Sequence, residues 1–278
     1  MTTTPLRGIE CPDRVLTPAN EASLLSLIRA ITSDRDYLNI NKSVLSIQQK
    51  LNVAMYQAAL IYKLDPNHFT LFEMFREQST RDLKFSNLNY KICSYSMGDI
   101  NEYLLALTFF IDTFAATTFS LFDVSGSLLN QLYKLKLNED EVSFYKALKE
   151  LQMQGSIDVN DNVFRLLCSY SLSPREPAYS SATPLYNIAW LEPLKTIRHR
   201  TTHRPITDIC DFALRGDVHS VHSGDIPKTE FFLNEKLYPD KKLRDFVKEV
   251  FDGIEEFVED LYFYLREAVQ RSTGLPIY

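Results

Sequence analysis

Apolar residues recur along this chain three and four positions apart, the spacing that lines one face of an α-helix. The run Asn20–Tyr37 carries Leu24, Leu25, Leu27, Ile28 and Ile31 in that way. A second helix is predicted after Asn41, with Val44, Leu45, Ile47, Leu51, Met55 and Leu60 turned inward. It should end near Asp65–Pro66, because the residue before a proline is pushed out of the helical region. The stretch 67–95 is mixed and polar, with a short helix predicted at Leu71–Arg81. Ser96–Met97–Gly98–Asp99 has the spacing of a capping box and opens a long helix from Ile100 to about Leu137. That helix is apolar on most faces through Phe122, so it should lie centrally in a bundle.

Asn138–Gly155 reads as a further helix, capped by Asn138 and stopped by Gly155, and Val163–Tyr170 as a short one. Ser171–Pro184 is a loop rich in proline and serine, and residues 1–17 form an extended arm. Leu185–Arg200 is amphipathic, with Tyr186, Trp190, Leu194 and Ile197 on its core face. Between 206 and 238, Gly216, Gly224 and Pro227 break any helical pattern, leaving a long loop with room for a short hairpin. The chain closes with Asp240–Arg271. There Leu243, Val247, Val250, Ile254, Phe257, Leu261, Tyr264 and Ala268 step by four and three, a seam for another long helix. The predicted architecture is all-α: a helical bundle of at least four principal helices over residues 96–278, preceded by a helical N-terminal extension over residues 1–95.

Composition narrows the picture. A chain of 278 residues, 45% hydrophobic and 24% charged, can bury a real core and is not of disordered type. Its 8 glycines are too few for many tight β-turns, and 18 phenylalanines and 15 tyrosines supply bulk for helix interfaces. A net charge of −6 argues against a sequence-independent grip on nucleic acid over a broad surface. Cys11, Cys93, Cys168 and Cys210 are dispersed, without the short spacing of a zinc or redox motif, which suits a reducing cytoplasm. The N-terminus lacks the plan of a signal peptide. Leu104–Phe122 is apolar enough to suggest a membrane span, but Asp112 sits within it, so a buried core helix and no membrane are expected.

Against this acidic background, Leu191–Pro205 gathers Lys195, Arg198, His199, Arg200, His203 and Arg204. A guanidinium that is always charged can hold a phosphate, and an imidazole that titrates near neutrality can move protons. Together they suit a phosphodiester. On an unbroken helix, Arg198 and His203 stand about 140° apart, five steps of about 100° each. Two ways to bring them onto one phosphate remain. Pro205 could fray the helix around Thr201–Arg204 and free His203 to swing, or the residues could converge with those of a second protomer.

Arg198–His199–x–x–x–His203 resembles the R-polar-x3-H signature of the HEPN superfamily. The placement is similar too: a long helix opening the domain, the motif at the end of a later helix, and a terminal helix, over about residues 96–271. The resemblance implies a metal-independent endoribonuclease acting as a homodimer, with motifs of both subunits in one cleft. It implies RNA as partner, no cofactor, and a role such as a growth-arresting toxin or antiviral defence effector, with a neutralising or regulatory protein partner. Arg198 would stabilise the phosphate, and His203 would transfer a proton, with the other subunit's histidine as its counterpart. His199 would orient His203 or the phosphate. Lys195, Arg200 and Arg204 would recruit the strand. The superfamily also includes non-catalytic modules, so the alternative is a helical module that binds a nucleotide or partner protein through this cationic end.

Other readings of the same residues stay open. The cations alone could complement a helix C-terminus. His199 and His203 have the i, i+4 spacing of a zinc-binding pair, but Arg200 stands where a metalloprotease motif has glutamate, and two arginines repel a cation. His219 and His222, with Asp217 and Asp225, read as a polar loop or a metal site, and His68 has no partner in sequence. No nucleophile elbow, phosphate-cradling glycine loop or dinucleotide fingerprint occurs.

Overall fold

The computed structural model describes residues 18–63, 98–171, 184–203, 212–215, 230–233 and 238–274. The architecture is all-α. The helices are α1 (Pro18–Ile31), α2 (Asp34–Lys63), α3 (Gly98–Tyr133), α4 (Phe144–Met153), α5 (Asn162–Ser169), α6 (Leu191–His203) and α7 (Leu243–Thr273). A 3-10 turn, Glu139–Glu141, precedes α4. Strands β1 (Phe212–Arg215) and β2 (Glu230–Leu233) form an antiparallel ribbon, with Phe212 opposite Leu233 and Arg215 opposite Glu230. The expected arm at 1–17, the helix at Leu71–Arg81 and most of the loop at Ser171–Pro184 lie outside the described residues.

Local chemistry sets the breaks. The single helix expected over Asn20–Tyr37 is interrupted after Ile31. The Thr32 hydroxyl donates to the Ile28 carbonyl at 2.8 Å, and the Asp36 amide donates to the Ser33 hydroxyl at 3.2 Å. Ser33 thus starts α2, and Asp34 and Asp36 in its first turn complement the helix dipole. The buried seam of α2 is Ile40, Val44, Ile47, Leu51, Ala54, Ala58 and Ile61, in alternating steps of four and three. Leu45 and Met55, expected inside, are exposed; Leu45 is one residue, hence about 100°, out of phase with the seam.

α3 stops at Tyr133, short of Leu137, because Lys134 and Lys136 take the left-handed backbone with φ of 52° and 61°. Asn130 holds that turn, its amide donating to the Leu137 carbonyl and its oxygen accepting from the Leu137 amide, both at 3.1 Å. Asn138 makes no side-chain cap; Ser143 caps α4 instead, accepting from the Lys146 amide at 3.3 Å. Gly126 permits the approach of this cap to α3, since a Cβ there would stand 2.9 Å from the Phe144 backbone. Asp161 caps α5, accepting from the Val163 amide at 2.8 Å.

The chain forms two compact units. Among the described residues, the first gathers 55–63, 98–116, 192–203, 212–215, 230–233 and 238–251, the second 18–54, 117–171, 184–191 and 252–274. Aromatic rings centre the second: Phe122, Phe144, Tyr170 and Phe257 stand with centroids 4.7–5.9 Å apart where they touch. The Tyr170 hydroxyl donates to the Gly253 carbonyl at 3.1 Å, and Trp190 leans on the Tyr170 ring. The first α7 turns belong to the other unit. There the Tyr238 hydroxyl donates to Glu249, which also pairs with Lys241, and the Leu233 amide of β2 donates to the Lys241 carbonyl. Leu107–Tyr133 within α3 is long and apolar enough to cross a membrane by length and composition. Its Leu107, Ile111, Phe114, Ala115, Leu121, Phe122, Leu128 and Leu129 are buried inside the protein.

Candidate functional site

The motif lies on α6. The helix begins at Leu191 rather than at Leu185, because Pro193 belongs in a first turn, where its missing N–H costs nothing. Trp190 just before it, and Leu194 and Ile197 on it, are buried, as their spacing predicts. Tyr186 is only half-buried, and its hydroxyl donates to the Asp260 carboxylate at 2.6 Å, outside the helix altogether. Burial first, and then that carboxylate, hold the Tyr186 phenol far above its ordinary pKa.

Away from Leu194 and Ile197 lie the charged residues of the motif. Lys195 and Arg198 are part-exposed and His199 is exposed. Glu192, missed by the sequence reading although its i, i+3 spacing shows it, pairs with Lys195 at 3.6 Å. With the two side chains 63% and 44% exposed, that pair contributes at most about 1 kcal/mol. The Thr196 hydroxyl turns back to the Glu192 carbonyl at 2.9 Å and leaves the outward face to the charged residues.

Backbone continuity decides what the motif residues can do together. α6 remains helical through His203, so the fraying expected at Thr201–Arg204 does not occur over 201–203. Arg204 lies outside the described residues, as do His68, Asp217, His219, His222 and Asp225, and Arg200 and His203 are placed by their backbone alone. Positions 198 and 203 therefore stand about 140° apart around the axis, and positions 199 and 203 about 40° apart. One helix brings Lys195, His199 and position 203 to a common face and leaves Arg198 at its border.

Among the described residues no three His, Cys, Asp or Glu side chains converge as a metal site. Cys168 is buried, and burial pushes its thiol up to about 11, which makes it a poor nucleophile. Cys11, Cys93 and Cys210 fall outside the described residues. In comparisons with known proteins, no family model, curated protein or solved structure matches the chain.

Proposed function

We propose that this protein is a metal-independent endoribonuclease with a composite site shared by two protomers. The observation that carries the reading is that α6 buries Leu194 and Ile197, keeps Arg198 part-exposed and His199 exposed, and stays helical through His203. Packing of Leu194 and Ile197 into the core does not call for an exposed histidine and a part-exposed arginine on the same helix. Such a set supplies what RNA transesterification requires: a fixed positive charge for the phosphate and imidazoles for proton transfer.

Arg198 and His203 of one chain stand too far apart around α6 to serve one phosphate, so the geometry favours Arg198 of one protomer with His203 of its partner. A two-fold axis supplies both combinations at once. In this mechanism a histidine draws the proton from the ribose 2′-hydroxyl, the 2′-oxygen attacks phosphorus, and Arg198 stabilises the charge on the non-bridging oxygens. Lys195, Arg200 and Arg204 guide the strand toward the pair. The nucleophile belongs to the RNA, so DNA is not cleaved. Growth arrest or antiviral defence in the cytoplasm is the setting such an activity suits, with a neutralising protein to restrain it.

The test is cleavage of single-stranded RNA in EDTA. Wild type should cleave, while Arg198→Ala and His203→Ala should lose about 100-fold or more, with stability changed by about 1 kcal/mol or less. Arg198→Lys should fail as well, because lysine keeps the charge but loses the planar fork. Wild-type rates retained by His203→Ala contradict the assignment. Binding of nucleotide or RNA without cleavage makes the protein a non-catalytic module using the same cationic helix end.

A further inference from the structure

We propose that the outward face of α2 is a self-association surface, on which two copies of this chain pair antiparallel with Leu45 at the two-fold axis. It uses no residue of the α6 motif and does not depend on the nuclease reading. The buried side of α2 serves the chain's own fold. The Ser43 hydroxyl donates to the Gln131 side-chain oxygen of α3 at 3.1 Å, and the Tyr262 hydroxyl of α7 donates to the Val44 carbonyl at 3.5 Å. On the opposite side Leu38, Lys42, Leu45, Gln49, Asn52 and Val53 are all exposed, Leu38 by 56%, Leu45 by 49% and Val53 by 46%. At about 100° per residue, these six positions fall within an arc of about 100°.

A helix face in water ordinarily carries charge. Here Lys42 is the one charged side chain of the six, and no aspartate or glutamate occurs from Tyr37 to Lys63, in a chain that has 36 of them. Depletion of charge around large apolar side chains marks a contact surface rather than a solvated one. The order of the chemistry selects the occupant. From Leu38 to Val53 the stripe runs apolar, cationic, apolar, amide, apolar, with Leu45 at its middle, and it reads nearly the same in reverse. A surface that pairs with itself across a two-fold axis needs that property, because each position before the axis meets one after it. With Leu45 on the axis, Leu45 meets Leu45 of the other copy and Leu38 meets Val53. The Lys42 ammonium meets the Gln49 side-chain oxygen, an acceptor. The two lysines then lie about 9 Å apart along the pair, whereas a parallel pair would set one directly against the other. A single cation is too little charge to select an acidic partner instead. Three half-exposed apolar side chains per copy make a contact smaller than the roughly 800 Å² per partner of a standard interface, so the dimer should form in the micromolar range.

The test is sedimentation equilibrium of the full-length chain from about 1 µM to about 100 µM. Wild type should pass from monomer to dimer over that range. Leu45→Glu sets two carboxylates together on the axis and should remain monomeric. Leu45 is half-exposed in the single chain, so circular dichroism should show this variant folded; Leu38→Lys takes its place if it is not. Cysteine variants read the register under mild oxidation, against wild type as the baseline. Leu45→Cys should link to its own copy, Lys42→Cys should not, and an equal mixture of Lys42→Cys with Gln49→Cys should. The surface is overturned if wild type stays monomeric to about 100 µM, if Leu45→Glu dimerises like wild type, or if Leu45→Cys links no more than wild type. Linking by Lys42→Cys alone marks a parallel pair and overturns the arrangement. A monomer that holds a different protein through these residues overturns it as well. RNA cleavage by the same samples in EDTA decides the nuclease reading independently.

Discussion

A Cβ at position 253 would stand 2.7 Å from the indole Nε1 of Trp190, so α7 can touch that ring only with glycine there. Trp190 is 3% exposed and leans on Tyr170, whose hydroxyl binds the carbonyl of the same Gly253. Gly253→Ala should cost about 1–3 kcal/mol by overpacking and Trp190→Ala about 3–5 kcal/mol by leaving a cavity. Urea denaturation measures both, and Gly253→Ala unfolding at wild-type midpoint would show that the contact is not needed. Asp112 makes a second residue-scale claim. It is half-buried on α3, and burial pushes its carboxyl from the ordinary 3.8 up to about 6. The native state therefore holds this proton more tightly than the unfolded chain, so stability falls as pH rises from about 4 to about 6 and then levels. Asp112→Asn should match wild type near pH 4 and be more stable at pH 7.5 by about 1 kcal/mol, after allowance for solvent screening. An asparagine variant less stable at pH 7.5 would contradict this.

At the scale of elements, Asp161 does two jobs: it caps α5 and receives Arg271 from the last turn of α7 at 2.7 Å. Its side chain is 10% exposed against 61% for Arg271, so the two ends of the pair differ in weight. Asp161→Ala should cost about 1–2 kcal/mol through the lost cap, and Arg271→Ala no more than about 1 kcal/mol. Equal losses in thermal melts would mean that the ion pair, not the cap, matters. The long helices were legible in the sequence because steps of four and three persist over many turns, as from Leu243 to Leu261 in α7. The break at Thr32–Ser33 was not, because it depends on hydroxyls competing for backbone groups inside an apolar pattern that runs across it. The phase of α2 was misread for a related reason: Val44 and Leu45 are both apolar, and only packing decides which is buried. For the site, the side of α6 that carries Lys195 and His199 was legible from periodicity. Its end was not, because the steric effect of Pro205 falls on the residue directly before it and leaves the helix intact to His203.

At the scale of the whole molecule, the chain passes from one compact unit to the other within α2, α3 and α7 and at the start of α6. The proposed site on α6 calls for a second copy of the chain, because positions 198 and 203 stand about 140° apart around an unbroken helix. The most direct measurement is complementation between two inactive variants. Arg198→Ala and His203→Ala, carried on differently tagged chains, are purified as a heterodimer and assayed on single-stranded RNA in EDTA. One of its two grooves then combines the intact Arg198 of one protomer with the intact His203 of the other. The account predicts about half of wild-type activity from this heterodimer, while each homodimer of variants stays inactive. A heterodimer as inactive as its parents, or a wild-type chain that cleaves RNA as a monomer, would contradict it.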